Sequence, residues 1–277
     1  MLEISPHPSA MSKIKNVTLV TSPYAQPQFV EKVKAVLEEN GFNVVSSTDS
    51  VDLVLSIGGD GTFLSAAPLV MKCDTPILGI NTGHLGFLAD VAQETLVTSI
   101  KKLKEGQYTI EPRTLIEVTT EGDEFRSNPV ALNDVAVLKQ DNSALIQIET
   151  YVNGQLLNGY LADGLIISTP TGSTGYSLSV GGPIVMPDSH ALCISAVAPH
   201  SLNVRPVIVR DDVEITLKVH SRSEHFLLAV DGRSQSLSAS TSLSIRKSHH
   251  CINLMKICHP NHFDTLREKM NWGLNVR

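Results

Sequence analysis

The chain has 277 residues, 42% of them hydrophobic and 18% charged, with a formal net charge of −6. That is enough apolar residue for a core and excludes disorder. The absence of any Lys/Arg block or basic–aromatic stripe argues against a nucleic-acid partner. Residues 1–10 lack the basic start and apolar run of a signal peptide, and no run approaches the 18 apolar residues of a membrane span, so the expected site of action is the cytoplasm, away from membranes. The cysteines Cys73, Cys193, Cys251 and Cys258 are too few for a disulfide framework in a chain this long.

Asn16–Thr21 reads as a first strand. A helix is expected from Gln28 to Asn40, where Val30, Val33, Val36 and Leu37 recur at helical spacing and Asn40-Gly41 stops the pattern. Phe42–Ser46 and Leu53–Ile57 read as the next strands. The latter runs into Gly58-Gly59-Asp60-Gly61, after which a helix is expected with Thr62 as its N-cap, ending near Lys72. Such a turn brings backbone close to a ligand and N–H groups toward phosphate. Asp60 breaks the pattern, because a carboxylate facing polyphosphate is repelled unless it serves a cation or a proton. A plain turn between strand and helix fits the same residues.

Pro76–Ile80 reads as a fourth strand, followed by the loop Asn81–Leu88, in which His84 is either a ligand-binding group or an ordinary loop histidine. A helix at Gln93–Glu105 closes this half. Strands alternating with helices predict a parallel sheet, with both glycine-rich loops beyond the carboxyl ends of its strands.

From Tyr108 the helices disappear. Apolar runs at Leu115–Thr120, Ala131–Leu138, Leu145–Val152, Gly164–Ser168, Ala191–Ala196, Val213–His220, Phe226–Val230 and Leu243–Arg246 predict a β-rich, sandwich-like domain. The boundary is expected near Glu111-Pro112-Arg113. The resulting organisation is α/β plus all-β: 1–110 as a parallel-sheet domain, 111–255 as a β-rich domain, and 256–277 as a tail. The tail carries a helix at Asp264–Met270, with Phe263, Leu266 and Met270 as its apolar face, packing back on the first domain.

Three further stretches carry chemistry. Asp163–Pro183 is rich in hydroxyls and glycines, with Tyr176 in its middle, and suits phosphate, ribose or amide groups. Asn133-Asp134 interrupts an apolar strand pattern. It is either a pair for ribose hydroxyls or a strand kink. Asp231-Gly232-Arg233, directly after an apolar run, is open between a β-turn and a site that contributes Arg233. The cluster His249, His250, Cys251, Cys258, His259 and His262 lacks the short paired spacing of a structural zinc site, so no dedicated protein metal site is expected. A P-loop, a G-x-G-x-x-G after a strand and a nucleophile elbow are all absent.

Together these motifs resemble the NAD kinase family over most of the chain. The resemblance rests on Gly58–Thr62, Gly79–Leu88, Asn133-Asp134, Asp163–Tyr176 and Pro199–Pro206, in that order. Gly-Gly-Asp-Gly alone is shared with diacylglycerol and sphingosine kinases and phosphofructokinases. The resemblance implies transfer of the γ-phosphate of ATP to the 2′-hydroxyl of the adenosine ribose of NAD, with a divalent metal, Mg²⁺, accompanying ATP. It also implies a homo-oligomer, dimer or tetramer. Asp60 would be the base and Gly61 would lie beside the phosphates. Asn133 and Asp134 would hold the ribose and adenine, while Asp163, Thr174, Gly175, Tyr176 and Ser179 would line the nucleotide site. Gly175 stands where the family usually has Ala, and Leu161 where some bacterial members have a basic residue. Rival readings are a lipid kinase, which predicts a membrane-facing surface, and a non-catalytic dinucleotide-binding regulator, which would have no need of Asp60.

Overall fold

The computed structural model describes residues 14–47, 51–83, 86–140, 144–257 and 262–271. The chain divides into two compact units, residues 1–111 with 253–277, and residues 112–252.

The first unit follows the strand–helix alternation of its sequence: β1 (Asn16–Thr21), α1 (Pro27–Glu39), β2 (Asn43–Val45), β3 (Leu53–Ile57), α2 (Asp60–Val70), β4 (Ile77–Ile80), β5 (Ala89–Val91) and α3 (Leu96–Lys104). β2, β1, β3 and β4 run parallel in that spatial order, and β5 also pairs parallel to β4. Every residue of β3 and β4 is buried, as expected for strands covered on both faces. Phe29, Val33, Val36 and Leu37 of α1 and Leu96, Ile100 and Leu103 of α3 pack into this core. Three boundaries differ from expectation. α2 begins at Asp60 with Gly59 as its N-cap, two residues before Thr62, so Asp60 occupies the first turn, where a carboxylate complements the helix dipole. β5 was not foreseen, because three residues are too few to show a period. The last helix spans His262–Met270 and buries Thr265 and Leu266, while Phe263 is 55% exposed and so is not part of its packed face.

The second unit contains β6 (Thr109–Glu121, entering from the first unit), β7 (Val130–Ala131), β8 (Asp134–Lys139), β9 (Ile146–Val152), β10 (Gln155–Ala162) and β11 (Gly164–Ser168). A 3₁₀ turn at Thr171–Thr174 and a short helix, α4 (Tyr176–Ser179), follow. Then come β12 (Ala191–Val197), β13 (Val207–Arg210), β14 (Ile215–His220), β15 (His225–Val230), β16 (Arg233–Ser238) and β17 (Ser242–Lys256, whose last residues belong to the first unit). One antiparallel sheet has the order β13-β12-β11-β8-β15-β16. Against its inner face lie residues of β9, β14 and β17, giving one core that includes Val135, Val137, Ile148, Ile167, Leu217, Phe226 and Ile245. The alternation of Ile215, Leu217 and Val219 inward with Thr216, Lys218 and His220 outward is the period-two pattern of a half-buried strand. The expected single run Ala131–Leu138 is broken: β7 ends at Ala131 and β8 starts at Asp134, so the polar pair sits at the break. The final helix, α5 (His262–Met270), belongs to the first unit.

Candidate active site

In the first unit β3 and β4 end side by side, and the loops that follow them meet at Asp60. Its Oδ2 accepts the Phe87 N–H at 2.8 Å, and its Oδ1 accepts the Leu88 N–H at 3.0 Å and, more weakly, the Ala89 N–H at 3.4 Å. Gly86 makes this approach possible, since a Cβ built there would overlap Asp60 Oδ1. Gly59 and Gly61 flank the carboxylate and are exposed, with nothing within 4 Å of a Cβ built on either. The turn therefore presents an oriented carboxylate and open backbone at the first turn of a helix. That arrangement can accept a proton at Asp60 while phosphate approaches the N–H groups beside it. His84 lies outside the described residues.

The second unit assembles a different constellation. The polar pair Asn133-Asp134 is held by Asp231: its Oδ2 accepts the Leu132 N–H at 2.8 Å, and its Oδ1 accepts the Asn133 and Asp134 N–H groups at 2.8 and 3.1 Å. Asp231-Gly232 is the two-residue turn joining β15 to β16, both residues having positive φ, 46° and 79°. From the other side Thr169 donates its hydroxyl to the Leu132 carbonyl and its N–H to the Asn133 carbonyl, while Gly172 packs so closely that a Cβ would overlap that same carbonyl. A Cβ at Gly175 would lie 3.6 Å from Asn133 Nδ2 and 4.0 Å from Asp134 Oδ2. A methyl group there would also stand 3.3 Å from the Gly172 carbonyl oxygen, so it fits beside the polar pair only if that backbone gives slightly. The buried Asn133 Oδ1 has no hydrogen-bond partner, so the amide is available to a ligand.

Burial, reinforced by the Asp231 charge, raises the Asp134 carboxyl to about 7. Burial also raises Asp231, opposed by the three N–H bonds and the Arg233 guanidinium. A carboxyl that keeps its proton near neutrality can donate as well as accept, and beside an amide it suits a hydroxyl or a purine edge.

Not every expected residue joins this group. Thr174 is half-buried, with its hydroxyl donated to the Thr171 carbonyl, and Tyr176 and Ser179 on α4 are exposed. Asp163 stands at the opposite end of β11, separated by the whole five-residue strand, roughly 17 Å. Its carboxylate pairs with Lys139 Nζ at 2.6 Å. Arg233 donates to the Val130 carbonyl at 2.9 Å and acts on Asp231 rather than facing open space. Asp231, absent from the expected binding set, is the residue that organises the pair. The signal was the Asp-Gly turn after an apolar strand, which reads equally as an ordinary hairpin. Among the described residues no three His, Cys, Asp or Glu side chains converge on a potential metal position.

The model of the ATP-NAD kinase N-terminal domain matches residues 12–108, and that of the ATP-NAD kinase C-terminal domain residues 132–257. An NAD kinase of Bacteroides fragilis is 49% identical over 246 residues, 89% of this chain and 82% of the relative. That of Cytophaga hutchinsonii is 45% identical over 226 residues, 82% and 77% respectively. The crystal structure of an NAD kinase from Archaeoglobus fulgidus in complex with ATP superposes with a TM-score of 0.77 at 25% identity, covering 92% of this chain and 98% of that one. Yeast NADH kinase complexed with NADH, at 23% identity and a TM-score of 0.86, covers 99% of this chain and 94% of its own, and shares the fold. With both domain models matched in order and relatives near half identical, the chain belongs to the NAD kinase family.

Proposed function

We infer that the protein is an NAD kinase that transfers the γ-phosphate of ATP to the 2′-hydroxyl of the adenosine ribose of NAD, giving NADP. The observation that carries this reading is the match of both ATP-NAD kinase domain models, each falling on a unit that contains one assembled polar constellation. In this reading Asn133 and Asp134 bind the ribose and adenine of NAD, with Asp231 fixing their backbone. Asp60 accepts the proton of the attacking hydroxyl. Phosphoryl transfer depends mainly on alignment and charge neutralisation, so the rigid hold of three loop amides on Asp60 counts for as much as its basicity. The divalent ion, Mg²⁺, enters as the metal–ATP complex and belongs to the substrate.

The enzyme acts in the cytoplasm as a homo-oligomer. Support for association comes from the second unit, where the edge strands β10 and β13 expose Leu156, Leu157, Leu161 and Ile208. No described helix is long and apolar enough to cross a membrane.

The direct test incubates purified protein with ATP, magnesium and NAD and reads the product with an NADP-specific dehydrogenase. NADP formation dependent on ATP is expected. Labelling of diacylglycerol in place of NAD would overturn the reading.

A further inference from the structure

Lys269 is a charged group close to the Asp60 loop that the reaction as set out does not use. Lys269 sits in the last turn of α5, half-buried, with its Nζ 4.9 Å from the centre of the Phe87 ring. Phe87 is the residue whose N–H reaches Asp60 Oδ2 at 2.8 Å. The C-terminal helix thus lays an ammonium group on the loop that orients the central carboxylate.

The other charges nearby are already matched. Asp90, fully buried, accepts the Ile257 N–H at 2.7 Å and has Lys256 Nζ 3.9 Å away. Lys269, by contrast, takes part in no ion pair within 4.0 Å among the described residues, and its ammonium lies over the Phe87 ring. Burial pushes its ammonium down to about 8, with Asp60 pulling back upward and Lys256 pressing it further down. Such a group gains when an anion arrives. The open backbone of Gly59 and Gly61 on the same turn is where the donor's phosphates can approach.

We propose that Lys269 is a phosphate-neutralising residue for the triphosphate donor, offsetting beside the Asp60 turn the negative charge that this carboxylate would repel. The proposal rests on the kinase reading for the identity of the donor. It assigns the C-terminal helix a part in donor binding beyond covering the core. A cation held over an aromatic ring keeps its position while remaining free to meet a phosphate oxygen.

The test is calorimetric titration of the full-length protein with magnesium–ATP in the absence of NAD, comparing wild type, Lys269→Met and Lys269→Arg. Methionine keeps the length and apolar stem and deletes the charge. A charge-assisted contact predicts an affinity for ATP about ten- to a hundredfold weaker in Lys269→Met. Lys269→Arg, which keeps the charge, should lose less ATP affinity than Lys269→Met, with NAD affinity and melting temperature unchanged in both. Unchanged ATP affinity in Lys269→Met would overturn the proposal. So would parallel losses of ATP binding, NAD binding and melting temperature, which would reveal a packing role. Wild-type protein that binds ATP but does not phosphorylate NAD would sink the kinase reading and leave the titration result to decide on Lys269.

Discussion

Asp231 shows how one side chain can organise a candidate site by holding its backbone. Its carboxylate accepts three consecutive backbone N–H groups, so Asp231→Asn, whose Nδ2 cannot accept, leaves at least one buried donor unmade, at a cost of roughly 1–3 kcal/mol. The KM for NAD should rise about tenfold or more while the KM for ATP changes little, as steady-state kinetics would show. A rise in both would point to general unfolding. The neighbouring Asp134 makes a pH prediction. Its folded-state value of about 7 lies above its ordinary value of 3.8, so between these limits the native protein holds a proton that the unfolded chain has released. Stability contributed by that proton is present at low pH and is lost as pH rises through about 7, with a slope of up to about 1.4 kcal/mol per pH unit. Asp134→Asn should flatten that decline in melting temperature between about pH 4 and pH 7. An equally steep decline in the variant would show that another group titrates.

At the scale of elements, the parts legible in the sequence are those with a strong burial period. α1, β3, β4 and α3 follow from apolar spacing because each buries a full face or both faces, and β1 from its short apolar run. The strands of the second unit that the sequence does not reveal, β10, β13 and β16, are all sheet edges. None of the three shows a sustained burial period: β10 exposes Gln155–Gly159, leucines included, and shifts register between Leu156 and Asn158, β13 is only four residues long, and β16 reads Arg-Ser-Gln-Ser-Leu-Ser with a single apolar residue. The site was partly legible in the same way. Asp60 stands out as a carboxylate in the glycine turn after an apolar run and the Asn133-Asp134 pair as a polar interruption within one, whereas the roles of Asp231 and Lys269 depend on contacts 97 or more residues away in sequence, which no local pattern encodes. The loop after β4 also depends on a long-range fit. Gly86→Ala would drive a methyl into Asp60 Oδ1, and because backbone amides tether that carboxylate it must leave its place. We expect kcat to fall about a hundredfold with NAD affinity retained, measured by kinetics and direct NAD titration. Full turnover in Gly86→Ala would show that the observed Asp60 orientation is unnecessary.

For the whole molecule, the chain's last segment rejoins the first unit after the β-rich unit is complete, and with Lys269 it contributes a side chain beside the Asp60 loop. The exposed leucines of β10 leave apolar edge uncovered, so light scattering at micromolar concentration should return a mass of at least twice 30.0 kDa. A monomer mass would remove the oligomer from the account. The central claim, that chemistry is organised around Asp60, is tested by Asp60→Asn in the coupled NADP assay, with NAD binding and melting temperature measured in parallel. Because the amide nitrogen of Asn cannot accept the loop N–H groups, a modest loss of melting temperature is expected with it. Asp60→Asn should give a folded protein that binds NAD and turns over roughly 10² to 10⁴ times more slowly than wild type. Near-wild-type kcat at saturating magnesium would contradict it.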